Sequence, residues 1–444
     1  LVCLGRHTLT GITATCGGGH HDWTGHYRLY SHGRFDPDVL FDVARNQLLE
    51  LFSGHQPLVV AMDDSLLPKT GTRIPGVAWR RDPLGPRFQV NLIPAQRVLQ
   101  LSAALPSPDD GSARMVPIDF QHAPTAVKPK PRASQQERSQ YRKDCREKSI
   151  TRRGRQRLLA LRQSLDADGY SGRPLCMVVD GRFTNRTLMK SIPAHTTVIG
   201  RIRSDAKLYF LPDTQPDGAG RKRIYGKTAP TPEQLRQDES VPWTEVTAFA
   251  TGKNHSFRVK LLGPLRWRAT SRQHDVQLLV IAPLRYRLRK NSKLLYRQPA
   301  YLICTDPDLP IETLLQSYLW RWDIEVNFRD QKTLLGVGQA QVRHPASAYS
   351  VPALAVAAYA LLLLAARRAF PGGNLPLDFP QPKWRSHQRS RPSTQNLIHL
   401  LQQELWADSI TSRYFSDFTS AHSDTHKPRK FLPDLSGALF QASR

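Results

Sequence analysis

The run Leu58-Val-Val-Ala-Met62 is uninterruptedly apolar and ends in Asp63-Asp64-Ser65. Without polar alternation it reads as a central strand buried on both faces, delivering acids at its C-terminal edge. Residues 174–179 repeat the arrangement and lead into Asp180-Gly181. Between the two, strand-like runs at 87–93 and 97–103, divided by Pro94, and a shorter one at 115–120 predict an antiparallel meander. A helix at 185–192 and a strand at 196–202 complete a strand, helix, strand unit.

Helical spacing marks the remaining elements. Asp36-Pro37 supplies an N-cap and a first-turn proline, and Val39, Leu40, Val43, Leu48, Leu49 and Phe52 form the expected buried face. A second helix starts at Gln135 and keeps its period through 157–165. Pro310-Ile-Glu312 opens a long helix expected to run unbroken to Leu335. The apolar stretch Val351–Ala366, with Pro352 inside it, is shorter than the ~20 residues a bilayer requires and predicts a buried core helix instead. One more helix is expected at 394–406. Residues 206–305 alternate apolar and polar positions around Trp243 and Trp267, the pattern of an inserted β-rich subdomain. The chain divides accordingly into a helical leader (1–57), a catalytic core in two parts (58–205 and 306–370), the insert (206–305) and a basic C-terminal region (371–444) for DNA binding or dimerisation. The leader starts at Leu1 rather than Met, which leads us to expect a truncated, DNA-binding piece. The fold class is α/β, a mixed sheet flanked by helices.

Charge narrows the function. Of 444 residues, 63 are Lys or Arg and 37 Asp or Glu, a net charge of +26 whose field concentrates polyanions, nucleic acid above all. The basic, polar segment 121–156, with Lys128-Pro-Lys-Pro131 as a linker, is assigned to nucleic-acid contact on this ground. Five scattered cysteines make no disulfide framework and fit a reducing cytosol. Cys16, His20, His21 and His26 lack the second ligand pair a zinc site needs. Neither a P-loop nor a nucleophile elbow is present, which removes nucleotide-driven and acyl-transfer chemistry.

Tyr318, Arg321, Glu325 and Lys332 fall at offsets of three, seven and fourteen residues. At roughly 100° per residue they share one helical stripe about 60° wide, a lone acid among cationic and phenolic groups. With Asp63 and Asp180 this glutamate makes three carboxylates, enough to hold two Mg2+ ions about 4 Å apart for phosphoryl transfer. Mn2+ would serve in their place.

The order of these elements resembles the RNase H-like core of DDE transposases. The Tyr-x2-Arg-x3-Glu-x6-Lys spacing is similar to the YREK signature of the bacterial insertion-sequence-4-like transposases at every position, and the likeness covers about 58–366. It implies Asp63, Asp180 and Glu325 as the catalytic, metal-binding triad. Asp64 remains an alternative to Asp63, which is preferred because Asp63-Asp64-Ser65 then fits the family's Asp-x-Ser/Thr. It further implies that Tyr318, Arg321 and Lys332 contact DNA phosphates and that Tyr301 is the positional match for an aromatic residue receiving a flipped base. The expected activity is cut-and-paste DNA transposition in the bacterial cytosol by a homodimer on paired double-stranded ends, with no membrane partner. A catalytically inactive DNA-binding derivative and a plain metal-dependent nuclease are the rivals.

Overall fold

The computed structural model describes all residues except 19–21, 53–55, 87, 109–110, 213–222, 272–273, 288–291, 372–391, 413–434 and 436–444. Most of the basic C-terminal region 371–444 therefore lies outside the described residues, as do His20 and His21.

Helices α1 (Leu9–Thr15), α2 (Thr24–Ser31) and α3 (Pro37–Leu49) precede the sheet. Asp36 caps α3 by accepting the Asp38 N–H, with Pro37 in the first turn. Its buried side differs from the expected one: Val39 and Val43 are 57% and 45% exposed, while Phe41, Ala44, Arg45 and Leu48 face inward. Arg45 tips the helix this way, since its buried guanidinium is paired at 2.6 Å with both Asp42 and Asp168.

Four strands follow, β1 (Leu58–Pro68), β2 (Ala78–Arg81), β3 (Leu92–Pro106) and β4 (Ala113–His122). Pro94 does not divide two strands as expected. It sits near the start of one long β3, opposite Trp79 of the four-residue β2, where a missing N–H disturbs little of the ladder. Helices α4 (Gln135–Glu147) and α5 (Ile150–Ala167) are separate, because Ser149 caps a new helix through the Arg152 N–H. Then come β5 (Leu175–Val179), a single-turn α6 (Arg186–Met189) and β6 (Thr196–Arg201).

The next hundred residues supply β7 (Leu208–Phe210), α7 (Pro232–Gln237), β8 (Thr244–Ala250), β9 (Lys253–Trp267), β10 (Val276–Ile281), the small pair β11 (Arg285–Tyr286) and β12 (Leu295–Tyr296), and β13 (Ala300–Cys304). Apart from β11 and β12, these strands continue the sheet already begun. Its order is β2-β3-β1-β5-β6-β13-β10-β9-β7, with β4 on β3 and β8 on β9, eleven strands in all. β1, β5 and β6 are parallel, and β3 and β13 run antiparallel on either side of them. The architecture is α/β, a mixed open sheet flanked by helices.

Helices α8 (Ile311–Trp320), α9 (Asp323–Thr333), α10 (Pro345–Ala369) and α11 (Thr394–Ser412) complete the chain. The expected single helix over 310–335 is broken. The N–H groups of Arg321, Trp322, Ile324 and Glu325 reach carbonyls only three residues back, a tightened turn between α8 and α9 that coincides with Arg321 turning inward. Among the described residues α10 is the one helix long and apolar enough to cross a membrane by length and composition, yet two-thirds of its apolar window is buried. Tyr359, Val356 and Leu363 place it in the core against β4 and α3.

Strand alternation sorts the core into two faces. Leu58, Val60 and Met62 of β1 join the cluster that includes Leu158 and Leu161 of α5. Val59 and Ala61 join the one with Leu314 and Leu315 of α8 and Ile324 and Phe328 of α9.

Candidate active site

The site is a row across three parallel strands. Met62 pairs in register with Val179, and Val179 with Gly200. The next row sets Asp63, Asp180 and Arg201 side by side at the C-terminal edge, one strand spacing of ~4.8 Å apart. Along β1, β5 and β6, Ala61, Val178 and Ile199 pack beneath α8 and α9. Two residues further on, Asp63, Asp180 and Arg201 present to the same side.

Asp64 points to the other face. Its carboxylate, 8% exposed, lies 3.1 Å from Arg97 of β3 in a charge contact and accepts two bonds from Arg182 at 2.9 and 3.1 Å. Asp63 instead accepts the Asp64 backbone N–H at 2.8 Å and turns toward Arg321, 3.6 Å away.

Asp180 is set by the turn that follows β5. Its Oδ1 accepts the N–H groups of Arg182 and Phe183, and the Thr184 hydroxyl donates to its carbonyl at 2.7 Å. This turn rests on β6 because residue 200 has no side chain: a Cβ there would lie 2.2 Å from Thr184 Oγ1. Gly200→Ala is therefore expected to cost about 1–3 kcal/mol, as overpacking does. It should also displace Asp180, which denaturant melts paired with metal-binding titrations would register.

Glu325 comes from α9, which is fixed on the sheet by a buried polar network. Asn327 accepts from Ser102 at 3.1 Å and donates to the Tyr359 hydroxyl, while Gln331 donates to Gln100 at 3.0 Å. Such a network sets register because slipping α9 would strand several buried polar groups. The Arg321 guanidinium lies between Glu325, at 3.7 Å, and Asp63, over the half-buried Tyr318 ring. Both separations are too long for hydrogen bonds. Lys332 donates to Ser65 on β1 at 2.6 Å. The stripe is thus brought to β1 despite the break in the helix.

Burial, reinforced by Asp180, pushes the Asp63 carboxyl up to about 7 against the opposing pull of Arg321. Burial also raises Glu325, with Arg321 lowering it and Asp180 raising it. Burial lowers the Lys332 ammonium. Clustered carboxyls that resist ionisation form a donor set short of positive charge, and hard oxygen donors of this kind suit a divalent cation. The residues fit such a metal by chemistry. Among the described residues, however, no group of three His, Cys, Asp or Glu side chains closes into a metal-ligand cluster.

Tyr301 is placed elsewhere. It lies in the cluster on the opposite face, 6% exposed, with its hydroxyl donating to Glu233 and its titration pushed up to about 12 by burial and that bond. It lines a basin of about 1210 Å³ shared with Gly181, Arg201, Arg236 and Trp267. Its ring is covered on the core side rather than open for stacking. Arg201, exposed beside Asp180, was missed by sequence reasoning. The signal was its position, closing the third parallel strand where the other two end in aspartate.

A family model described as DDE superfamily endonuclease matches residues 1–273, more than half of the chain. The match spans Asp63 and Asp180 and ends before Glu325. No curated protein matches the chain.

Proposed function

Because the chain belongs to the DDE superfamily endonucleases, with DNA as the substrate this implies, we propose that it is a DNA transposase of the insertion-sequence-4-like type. It would cut at the terminal inverted repeats of its element and join the freed 3′-hydroxyl to target DNA, as a homodimer on paired ends in the bacterial cytosol. The observation that carries this reading is the row of Asp63 and Asp180 on adjacent parallel strands, with Glu325 close enough for Asp180 to raise its carboxyl.

Asp63, Asp180 and Glu325 would hold two Mg2+ ions, or Mn2+ in their place. Bound metal of this kind activates the attacking oxygen and stabilises the leaving one. The chain's own groups do the rest. Arg321 balances Asp63 and Glu325 until a DNA phosphate arrives, and a guanidinium held only by long contacts is free to take up two phosphate oxygens. Lys332, half-desolvated on Ser65, offers a second cation within the same stripe, and the Tyr318 hydroxyl a neutral donor.

A second reading has one observation in its favour: Arg321 occupies the space between two of the acids. In that reading the chain is a catalytically inactive, transposase-derived DNA-binding protein. The deciding experiment incubates the purified chain with Mg2+ and a duplex carrying candidate terminal repeats, with Glu325→Ala as control. End-specific cleavage and joining that vanish in the control are expected. Binding without cleavage would establish the inactive derivative, and sequence-indifferent degradation a plain nuclease.

A further inference from the structure

Helix α4 is a helix without a packing face. None of its 13 residues is buried, and its start is secured by a local capping box between Ser134 and Glu137. A helix of this length that buries nothing is marginal in water. Its sequence adds a burden, because Arg138, Arg142 and Arg146 repeat at four-residue intervals and place like charges on one face. All three are exposed. Two of the three acids of α4 are engaged elsewhere, Glu137 accepting the Ser134 N–H and Asp144 taken by Gln140 and Lys148, and the third, Glu147, is exposed at the last position beside Arg146. Lys128, Lys130 and Arg132 precede the helix and Lys148 and Arg152 follow it, all five exposed along one basic segment.

The helix also stands in a telling place. The start of α5 is clamped near the site by Arg153, which donates to the carbonyls of His122 and Pro124. At the next residue, a Cβ at Gly154 would lie 2.8 Å from the Phe183 ring and 2.9 Å from Met62 Sδ. Met62 precedes Asp63, and Phe183 belongs to the turn that holds Asp180. The C-terminal end of α4 therefore joins α5 at the sheet edge where the acids sit, on the Met62 side of the sheet, and its arginine row is ~12 Å long at 1.5 Å per residue.

We infer that α4 is a phosphate-gripping arm that holds the backbone of duplex DNA beside the active site, through Arg138, Arg142 and Arg146. The inference rests on the DNA-transposase reading and assigns it a second contact surface. A duplex supplies what the helix lacks, a row of negative charges opposite a row of positive ones, and its contacts are to backbone and so indifferent to sequence.

The test measures binding of the full chain to a 30-bp duplex of arbitrary sequence in EDTA across a series of NaCl concentrations. Each phosphate contact contributes ~0.9 to the slope of log affinity against log salt. The triple variant Arg138→Gln, Arg142→Gln, Arg146→Gln should lose about 2.7 from that slope and bind about 10- to 100-fold more weakly at low salt. Its melting temperature should match the parent's, since nothing buried is altered. The triple Lys variant should keep the slope. A Gln variant whose slope stays within 1 of the parent's overturns the arm while leaving the transposase reading intact. A Lys variant that binds as poorly as the Gln variant also overturns it, because charge would then not be the cause. A parent chain that fails to bind any duplex overturns both.

Discussion

Asp63→Asn is expected to produce a chain more stable than its parent in metal-free buffer at pH 8, and about a thousandfold slower in DNA cleavage. The two effects have one origin. The Asp63 carboxyl titrates near 7 because burial and Asp180 disfavour its charge, whereas in the unfolded chain it would titrate at ~3.9. Below about pH 4 the carboxyl is protonated in both states and the substitution changes little. As the pH rises, the unfolded chain ionises first, so the parent loses stability until the folded carboxyl ionises near 7. Above that the penalty is complete, roughly 2–4 kcal/mol. Asparagine avoids it. The advantage should open between pH 4 and 7, and urea melts at pH 4, 6 and 8 in EDTA would measure it; equal stability at pH 8 would contradict the electrostatic account. The activity loss follows because an amide is a poor donor to a divalent cation, and removing several kcal/mol of transition-state stabilisation slows the reaction by about three orders of magnitude.

Asp64→Asn, one residue along, should do the reverse to stability. This carboxylate is 8% exposed and lies among guanidiniums, with Arg97 and Arg182 in contact; burial and Arg97 lower the Arg80 guanidinium to about 10, and the Asp64 charge opposes that fall. Losing one partner of a buried pair costs about 3–5 kcal/mol. Arg182 is about half-exposed and water screens it, so a loss of about 2–3 kcal/mol is expected. It should appear as a lowered denaturation midpoint at pH 8, while cleavage per folded molecule stays within a few-fold. If Asp64→Asn instead spared stability and abolished cleavage, the two aspartates would have to exchange roles.

These neighbours show what sequence could and could not convey. The apolar runs before Asp63 and Asp180 announced two buried strands, because a strand covered on both faces leaves no room for polar alternation. Alternation also required that only one of Asp63 and Asp64 face the third acid. Which one could not be read locally, since the answer lies in Arg97 on β3 and Arg182 beyond β5. The same holds for Asn327 and Gln331, whose partners Gln100 and Ser102 are more than 200 residues away. Helical spacing found the stripe from Tyr318 to Lys332 but not the tightened turn at Arg321, which leaves no trace in a hydrophobic period. The α3 face was misjudged for a related reason. A buried arginine satisfied by Asp42 and Asp168 outweighed two valines. Nor did local pattern reveal that β6 would pair with β13, a hundred residues on, and so join the strands of the insert to those of the core.

That last pairing bears on how the protein is made. Strands β1 to β6 can assemble as soon as they leave the ribosome, in the N-terminal-first order usual for large chains, and they bring Asp63 and Asp180 together early. Glu325 is synthesised after β13, and α9 packs on the sheet to which β13 belongs. A nascent chain that has released only β1 to β6 thus carries two of the three proposed acids, and the proposed site is complete only once α9 has followed.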